Sequence, residues 1–372
     1  MPAFPQLPFR LSDLPLALGS PQTYTDYLII ALIFLSGIVS VLLVYILISL
    51  IVKNRRESVE AKWRNIISIL IQTCLFSDED EHPFSISAGI QKLLKKKAFR
   101  LVLTKELVQA RKSFSGGAGD NLLTLYKQLN LREISLEKLR SKHWYIKAQG
   151  IQELAHMDQK DELDKIYKLA DDKNELVRME AQLAVVQLSG FEGLKFLDNL
   201  SYHLSDWQQV KLLSELRGAH QSSSASVDGW LKSTFSTVVL FSLKLIAVYQ
   251  HFELYPSVIR CLSHVESKVR LQAVLTLKEI YTDETASELI GIYHAEGLHN
   301  KLKILNVLMQ IGTREILPFL FNEMQNENNQ VKMEAARAVS AIGTHSTLHS
   351  FPEAQIYPWN QIIRQIEQEL AA

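Results

Sequence analysis

The sequence contains only two cysteines, Cys74 and Cys261, among 372 residues. They are far apart along the chain and lie in no paired spacing, which argues against a disulfide framework and against a cysteine-based zinc site. An excess of either charge is also lacking, since 40 basic residues balance 40 acidic ones. No overall electrostatic field therefore attracts the chain to nucleic acid, and we expect no nucleic-acid partner. A reducing compartment fits the low cysteine content best.

The common catalytic and nucleotide-binding motifs are missing as well. No G-x-x-x-x-G-K-[ST], G-x-G-x-x-G, H-E-x-x-H or G-x-S-x-G sequence occurs in the chain. Cys261 and His264 are spaced as two metal ligands could be, and so are His345 and His349, but zinc needs three or four ligands and neither pair has a second pair at usable spacing. The sequence thus predicts no catalytic residue, cofactor, metal or small-molecule substrate, and we expect that the protein is not an enzyme.

What the sequence does contain is one long apolar run. Residues 27–52, YLIIALIFLSGIVSVLLVYILISLIV, carry no charge, and about 20 such residues suffice to cross the hydrocarbon core of a membrane as a helix. A cleaved signal peptide fits poorly because Asp13 and Asp26 precede the run, where a signal peptide has basic residues. The sequence predicts a transmembrane helix over residues 24–53.

The residues that flank the apolar run predict its orientation. Tyr27 lies at one end, at the level where tyrosine rings favour the headgroups, and Lys53, Arg55 and Arg56 follow the other end. Positive residues favour the cytoplasmic side, so residues 1–23 form a short non-cytoplasmic tail and the bulk of the chain is cytoplasmic. We expect a single-pass protein of the inner cell membrane, N-out and C-in.

Residues 54–139 read as a juxtamembrane helical region that ends in a linker. Helical spacing continues without Gly or Pro to residue 76, and the acidic stretch 77–81 with Pro83 then interrupts it. A second helix is predicted from about Ser87 to Lys112, and the glycine-rich residues 113–119 are predicted to be a flexible linker. The basic stretch 92–100, KLLKKKAFR, could contact anionic headgroups, or its leucines could face the first repeat.

Beyond residue 140 one pattern recurs about every 31 residues. A β-branched residue precedes a basic one, and a small residue follows three positions later, as in Val177, Arg178 and Ala181. Allowing for degenerate copies near residues 208 and 238, the pattern gives about seven units, each of two helices. One such pair cannot bury its apolar faces alone, so stacking predicts an α-solenoid over residues 140–345. Residues 346–372 are predicted to form a C-terminal cap, with an amphipathic helix from roughly Pro358 to Leu370.

Two segments, VRMEAQLAVVQLSG and VKMEAARAVSAIGT, the second preceded by ILPFLFNEMQNENNQ, resemble HEAT repeats of the short bacterial type. The resemblance implies an all-α, armadillo-like helical solenoid that serves as a scaffold or partner-binding surface. It carries no catalytic residue to this chain.

Two sets of residues are candidates for partner binding. The recurring basic position could form a ladder that grips an acidic partner, or each basic residue could bond a polar residue in the neighbouring inter-helix turn, such as Asp172 or Asn328. Tryptophans near helix starts could be interface anchors, because exposed aromatic residues supply much of the binding energy at interfaces, or could seal junctions between units. The candidate partner-binding residues are Trp144, Arg178, Trp207, Arg270 and Lys332.

The function that these features favour is a membrane-anchored cytoplasmic scaffold or adaptor that mediates protein–protein interaction. The alternative is an accessory or regulatory subunit of a membrane enzyme, for example a glycosyltransferase, or of a transporter, bound partly through the transmembrane helix. Ser36, Gly37 and Ser40 form a small patch on that helix that could pack against another helix.

Overall fold

The computed structural model describes residues 21–76, 84–216, 224–343, 345–357 and 359–371, with a few side chains within these ranges left out. These ranges form α-helices and short 3₁₀ stretches and contain no β-strand. The protein is thus all-α, as the sequence predicts. The chain divides into two compact units, residues 1–110 and 111–372.

The helices are α1 (Pro21–Leu75), α2 (Ala88–Leu94), α3 (Lys97–Ser113), α4 (Gly116–Gln128), α5 (Arg132–Leu139), α6 (Trp144–His156), α7 (Leu163–Tyr167), α8 (Glu175–Ser189), α9 (Asp206–Glu215), α10 (Ser224–Trp230), α11 (Ser236–Tyr249), α12 (Tyr255–Cys261), α13 (Ser267–Glu279), α14 (Thr285–Tyr293), α15 (Leu298–Ile311), α16 (Leu317–Met324), α17 (Asn329–Ile342), α18 (His345–His349) and α19 (Trp359–Ala371). The 3₁₀ stretches are Lys160–Glu162, Gly190–Asn199, Phe252–Leu254 and Arg314–Ile316.

In the first unit, α1 is one uninterrupted helix of 55 residues. Its segment 27–52 is exposed on every side, and α1 is the one described helix that is long and apolar enough to cross a membrane. The predicted continuation of the helix beyond this segment is confirmed as far as Leu75. The interruption predicted at residues 77–83 lies outside the described residues.

The part of α1 that follows its apolar segment packs against α3. The rings of Trp63 and Phe99 meet edge to face at 5.7 Å, and Arg64 forms an ion pair with Glu106 at 3.4 Å. The single helix predicted from Ser87 to Lys112 is wrong in one respect, because the chain breaks at Lys95 and Lys96 into α2 and α3.

The flexible linker predicted at residues 113–119 is also wrong, because α4 begins at Gly116. Gly116 itself has a φ of +65°, a conformation that glycine adopts at no steric cost. Gly119 lies so close to its neighbours that a Cβ there would be 2.9 Å from the carbonyl oxygen of Phe114. These glycines therefore make a turn and a close approach, which composition alone does not distinguish from flexibility.

The second unit is a series of stacked helical pairs. The second helix of most pairs contacts the second helix of the next pair: α6 packs on α8, α8 on α9, α11 on α13, α13 on α15 and α15 on α17. Between the α9 and α11 regions, Lys244 donates to Gln209 at 2.8 Å and the Tyr249 hydroxyl donates to the Leu216 carbonyl at 2.7 Å, and Leu212 shares one apolar cluster with Val239.

A repeated turn precedes five of these second helices, α6, α8, α11, α13 and α17. A side chain accepts a hydrogen bond of 2.8 to 3.2 Å from the backbone N–H two residues further on, the pattern of an Asx-type turn. The accepting residues are Ser141, Asp172, Ser233, His264 and Asn326. They lie 31, 61, 31 and 62 residues apart, which is one or two periods of the sequence pattern. The period read from the sequence is therefore also a period of the backbone.

The small residues of the pattern lie inside the packed helices. Ala181, Ala273 and Ala335 are fully buried, as the sequence predicts. At the C-terminal end, α19 buries Trp359, Ile363 and Ile366, which confirms the predicted amphipathic helix.

Candidate protein-interaction surface

An exposed apolar surface lies on the first three second helices of the second unit. Tyr145, Leu176 and Trp207 occupy the same register position, 31 residues apart, and are 56%, 44% and 54% exposed. Trp144 and Val210 on the same helices are also exposed. We call these five residues the apolar ridge. The equivalent positions further along are the polar residues Thr237, Lys268, His299 and Gln330, so the ridge is confined to the first three pairs.

Cations flank the ridge on aromatic faces. The Lys211 ammonium lies 5.2 Å from the centroid of the Trp207 ring and supplies the positive charge of this surface. The buried Arg178 guanidinium lies 3.9 Å from the centroid of the Tyr202 ring. Cations over aromatic faces are held by the quadrupole of the ring. Glu175 and Asp206, in the first turns of α8 and α9, are exposed beside them. The surface thus combines apolar area with charges of both signs, as interaction surfaces of proteins do.

The five predicted partner-binding residues differ in their exposure and in their contacts. Trp144 and Trp207 are exposed on the ridge. Arg178 is buried, and its guanidinium donates to the Asp172 carbonyl at 2.8 Å. Lys332 is half-buried and forms no side-chain ion pair within the described ranges.

Arg270 is the most fully engaged member of the basic ladder. It forms a two-point ion pair with Glu296, in the turn of the following helical pair, and donates to the His264 carbonyl at 2.9 Å. Lys147 likewise reaches Asp172 of the following turn, at 3.8 Å. Lys147, Arg178 and Arg270 thus bond to neighbouring turns of the chain itself, which is the alternative to gripping an acidic partner.

Trp230 is the last residue of α10, so the position near a helix start that the sequence predicts for it is wrong. Its ring is buried, and its indole donates to Asp198 at 2.6 Å. It therefore closes a junction inside the protein. Tyr145, Leu176 and Val210 were not singled out from the sequence. The signal that identifies the first two is their register, since each directly precedes the β-branched residue of its repeat.

The predicted anchor residues lie along α1. Tyr27 is 71% exposed at the start of the apolar segment. Lys53 and Arg56 pair with Glu57 and Glu60 one helical turn further on, at 3.9 and 3.1 Å.

A polar cavity of roughly 450 Å³ lies near the C-terminal end of α6. Its lining includes Arg111, Lys112, Asp120, His156 and Gln187. Burial, together with the nearby charges of Lys112 and Arg111, lowers the pKa of His156 to about 4, so the imidazole is neutral at pH 7. The Gln187 side-chain nitrogen Nε2 lies 3.2 Å from His156 Nδ1. The lining residues described here include no serine, threonine or cysteine that this imidazole could activate as a nucleophile.

Cys261 and His264, one of the two pairs with metal-ligand spacing, make other contacts. Burial raises the pKa of the Cys261 thiol to about 11, and its Sγ donates to the Ser257 carbonyl at 3.4 Å. His264 Nδ1 accepts from the Glu266 backbone N–H at 3.0 Å. Among the described residues no group of three His, Cys, Asp or Glu side chains could hold a metal ion.

No family model matches the chain, and no curated protein is significantly similar to it. Among solved structures, it is similar to an engineered protein at 15% identity with a TM-score of 0.37, over 77% of this chain and 88% of that one. It is also similar to human deoxyhypusine hydroxylase in complex with glycerol, at 16% identity with a TM-score of 0.28, over 73% of this chain and 97% of that one. Likenesses at this level assign neither an activity nor a site.

Proposed function

We propose that this chain is a single-pass membrane protein whose second unit is a HEAT-like α-solenoid that binds another protein through the apolar ridge. The observation that carries the proposal is the ridge itself. Three large apolar side chains are exposed at one register position of three consecutive pairs, where the later pairs carry polar residues. Contiguous exposed apolar groups of this kind are typical of interaction sites.

The membrane anchor is supported by the length of segment 27–52 and by its exposure on every side, which a buried core helix would not show. Lys53, Arg55 and Arg56 support a cytoplasmic second unit, because positive residues favour the cytoplasmic side of a membrane. Tethering to the membrane raises the local concentration of the ridge near other membrane-bound proteins, so that a weak contact suffices for binding. The proposal assigns no catalytic step and no small-molecule ligand.

The test compares four forms of the full chain captured from membranes in mild detergent. The ridge variant is Tyr145→Ser, Leu176→Ser, Trp207→Ser, and its matched control is Lys268→Ser, His299→Ser, Gln330→Ser at the same register of the later pairs. We expect one protein to be retained by the parent and by the control but not by the ridge variant. Equal retention by all forms would refute the ridge as the binding surface.

The fourth form replaces residues 24–52 with an unrelated membrane-spanning helix and addresses the second candidate, an accessory subunit of a membrane enzyme or transporter. Gly37 is open, with no atom within 4 Å of an added Cβ, and the Ser40 hydroxyl turns back to the Ser36 carbonyl at 2.8 Å. Such a flat, small-residue face allows close helix packing in membranes. Loss of an integral-membrane partner on this exchange, with the ridge intact, would favour the accessory subunit.

A further inference from the structure

The turn between α2 and α3 carries four exposed lysines within six residues: Lys92, Lys95, Lys96 and Lys97. We call them the lysine turn. Within the described residues, Lys92, Lys95 and Lys96 have no acidic partner. Three acidic residues of the described part of the first unit pair with other basic residues: Glu57 with Lys53, Glu60 with Arg56, and Glu106 with Arg64. Lys92, Lys95 and Lys96 therefore form a patch of exposed positive charge that no acidic side chain of the described ranges pairs.

The first unit holds the lysine turn close to the membrane segment. Trp63 lies 11 residues beyond Val52 on the same unbroken helix, about 16 Å along its axis at 1.5 Å per residue. The contact between the rings of Trp63 and Phe99 places the start of α3 at this level. Ile90 and Leu93 of α2 line a groove with Ile66 and Thr73, further from the membrane segment, so the chain moves toward that segment as it enters α3.

This distance is within electrostatic reach of a bilayer surface. Headgroups occupy about 5 to 7 Å on each side of the hydrocarbon core, and the Debye length at physiological salt is about 8 Å. Extended lysine side chains reduce the remaining gap. The apolar segment is also longer than the hydrocarbon core of the bilayer is thick, so α1 can tilt. Attraction between the lysine turn and the headgroups would favour a tilt toward the side of α1 that carries the lysine turn.

We propose that the lysine turn contacts the anionic lipid headgroups of the leaflet from which α1 emerges, and so fixes the tilt and rotation of the first unit on the membrane. The inference rests on the proposed function, since it requires α1 to span the bilayer. Its chemistry is the attraction of a polybasic juxtamembrane segment to phosphate headgroups, which depends on the charge of the lipid and weakens with salt.

The test uses the full chain in nanodiscs of phosphatidylcholine alone or with 30% phosphatidylglycerol. Lysines are acylated with an uncharged reagent, and the rate at each lysine is followed by peptide mass spectrometry. A surface potential of about −30 mV raises the local proton concentration roughly threefold, so a smaller fraction of each nearby lysine is the reactive neutral amine. We expect about threefold slower acylation of the lysine turn in anionic nanodiscs, and recovery of the rate in 0.5 M salt.

Lys53, at the edge of the membrane segment, is the internal control for insertion. If Lys53 slows in anionic nanodiscs and the lysine turn does not, the inference is overturned and the anchor stands. If Lys53 is unaffected, α1 does not span the bilayer, and the anchor and the inference fail together. Slowing of the lysine turn only after a cytosolic protein fraction is added would overturn the lipid contact in favour of an acidic protein.

A pair of variants tests whether the charges act together. In Lys92→Gln, Lys95→Gln the remaining Lys96 and Lys97 are expected to lose most of their slowing. The matched variant Lys142→Gln, Lys173→Gln, which removes two exposed lysines of the second unit, should leave it unchanged. Equal slowing of Lys96 and Lys97 in both variants would contradict a collective contact.

Discussion

A basic residue recurs at a fixed place in the sequence pattern, and the contacts of Arg270 explain why a basic residue is useful there. Its guanidinium links one helical pair to the next through Glu296, whose side chain is 4% exposed. Arg270 is the largest cause that lowers the pKa of Glu296. Glu296 therefore contributes stability at pH values above its unfolded pKa, and this contribution is lost as the pH falls through the lower folded pKa.

We expect Arg270→Met to destabilise the chain by about 2–3 kcal/mol, because it leaves a buried carboxylate without its partner, while the one-fifth exposure of the guanidinium moderates the cost. Arg270→Met, Glu296→Met should recover part of this loss. Urea unfolding of the full chain in mild detergent, followed by circular dichroism, measures both. An unchanged urea midpoint for Arg270→Met would contradict a stabilising role for Arg270 and would favour partner binding instead.

His156 also makes stability depend on pH, but its pKa is lowered by burial, which disfavours the charged imidazole, and not by a favourable partner. Its folded pKa of about 4 lies below the ordinary value of 6.5, so the unfolded chain binds this proton first. Stability is consequently lost as the pH falls from about 6.5 toward 4. The stability of the parent relative to His156→Gln should decrease between pH 7 and pH 5, as measured by urea midpoints. The exposed His299→Gln serves as the control, and a difference between parent and His156→Gln that is the same at both pH values contradicts the prediction.

At the scale of elements, the sequence predicts the second helices of the pairs well because their apolar and small residues keep one period. It predicts the connecting elements poorly. The first element of the pair after α8 is the 3₁₀ stretch Gly190–Asn199, and a Cβ at Gly193 would be 2.7 Å from the Val185 carbonyl. This geometry depends on contact with the preceding helix, which no local pattern reveals. Of the apolar ridge, the sequence predicts only Trp144 and Trp207. A tryptophan near a helix start is a candidate interface residue by itself, whereas Leu176 becomes one only when the repeats are aligned.

Two glycines within helices show how tertiary contact decides the effect of one methyl group. A Cβ at Gly150 in α6 would be 2.6 Å from the Leu139 backbone nitrogen in α5, whereas at Gly291 in α14 no atom lies within 4 Å. We expect Gly150→Ala to destabilise by about 1–3 kcal/mol through overpacking. Gly291→Ala should stabilise by about 0.5–1 kcal/mol through helix propensity. Thermal unfolding of both variants measures the contrast, and shifts of the same sign would contradict the close approach of α5 and α6.

At the scale of the whole molecule, the second unit is held together mainly by neighbour-to-neighbour contacts. Hydrogen bonds between pairs join residues about 30 positions apart, such as Tyr293 to Glu323 and Thr276 to the Leu243 carbonyl. In a chain of this kind the stability of each pair depends on the pair beside it, so the ends are the weak points. The last described helix, α19, covers α17 at one such end.

A chain that stops at Tyr357 should therefore lose stability from its C-terminal side. It lacks the buried Trp359, Ile363 and Ile366, and so exposes apolar surface on α17 and removes the contact of Trp359 with Phe351. We expect amide hydrogen exchange to accelerate most in α17, less in α15 and α13, and not in α6, with increased binding of an apolar dye. Glu369→Gln is the control, because it removes the exposed ion pair with Arg337 and keeps the buried residues of α19, and exposed ion pairs contribute little to stability. Uniform acceleration from α6 to α17 would mean that the second unit unfolds as one cooperative block, and not pair by pair as stacked repeats do.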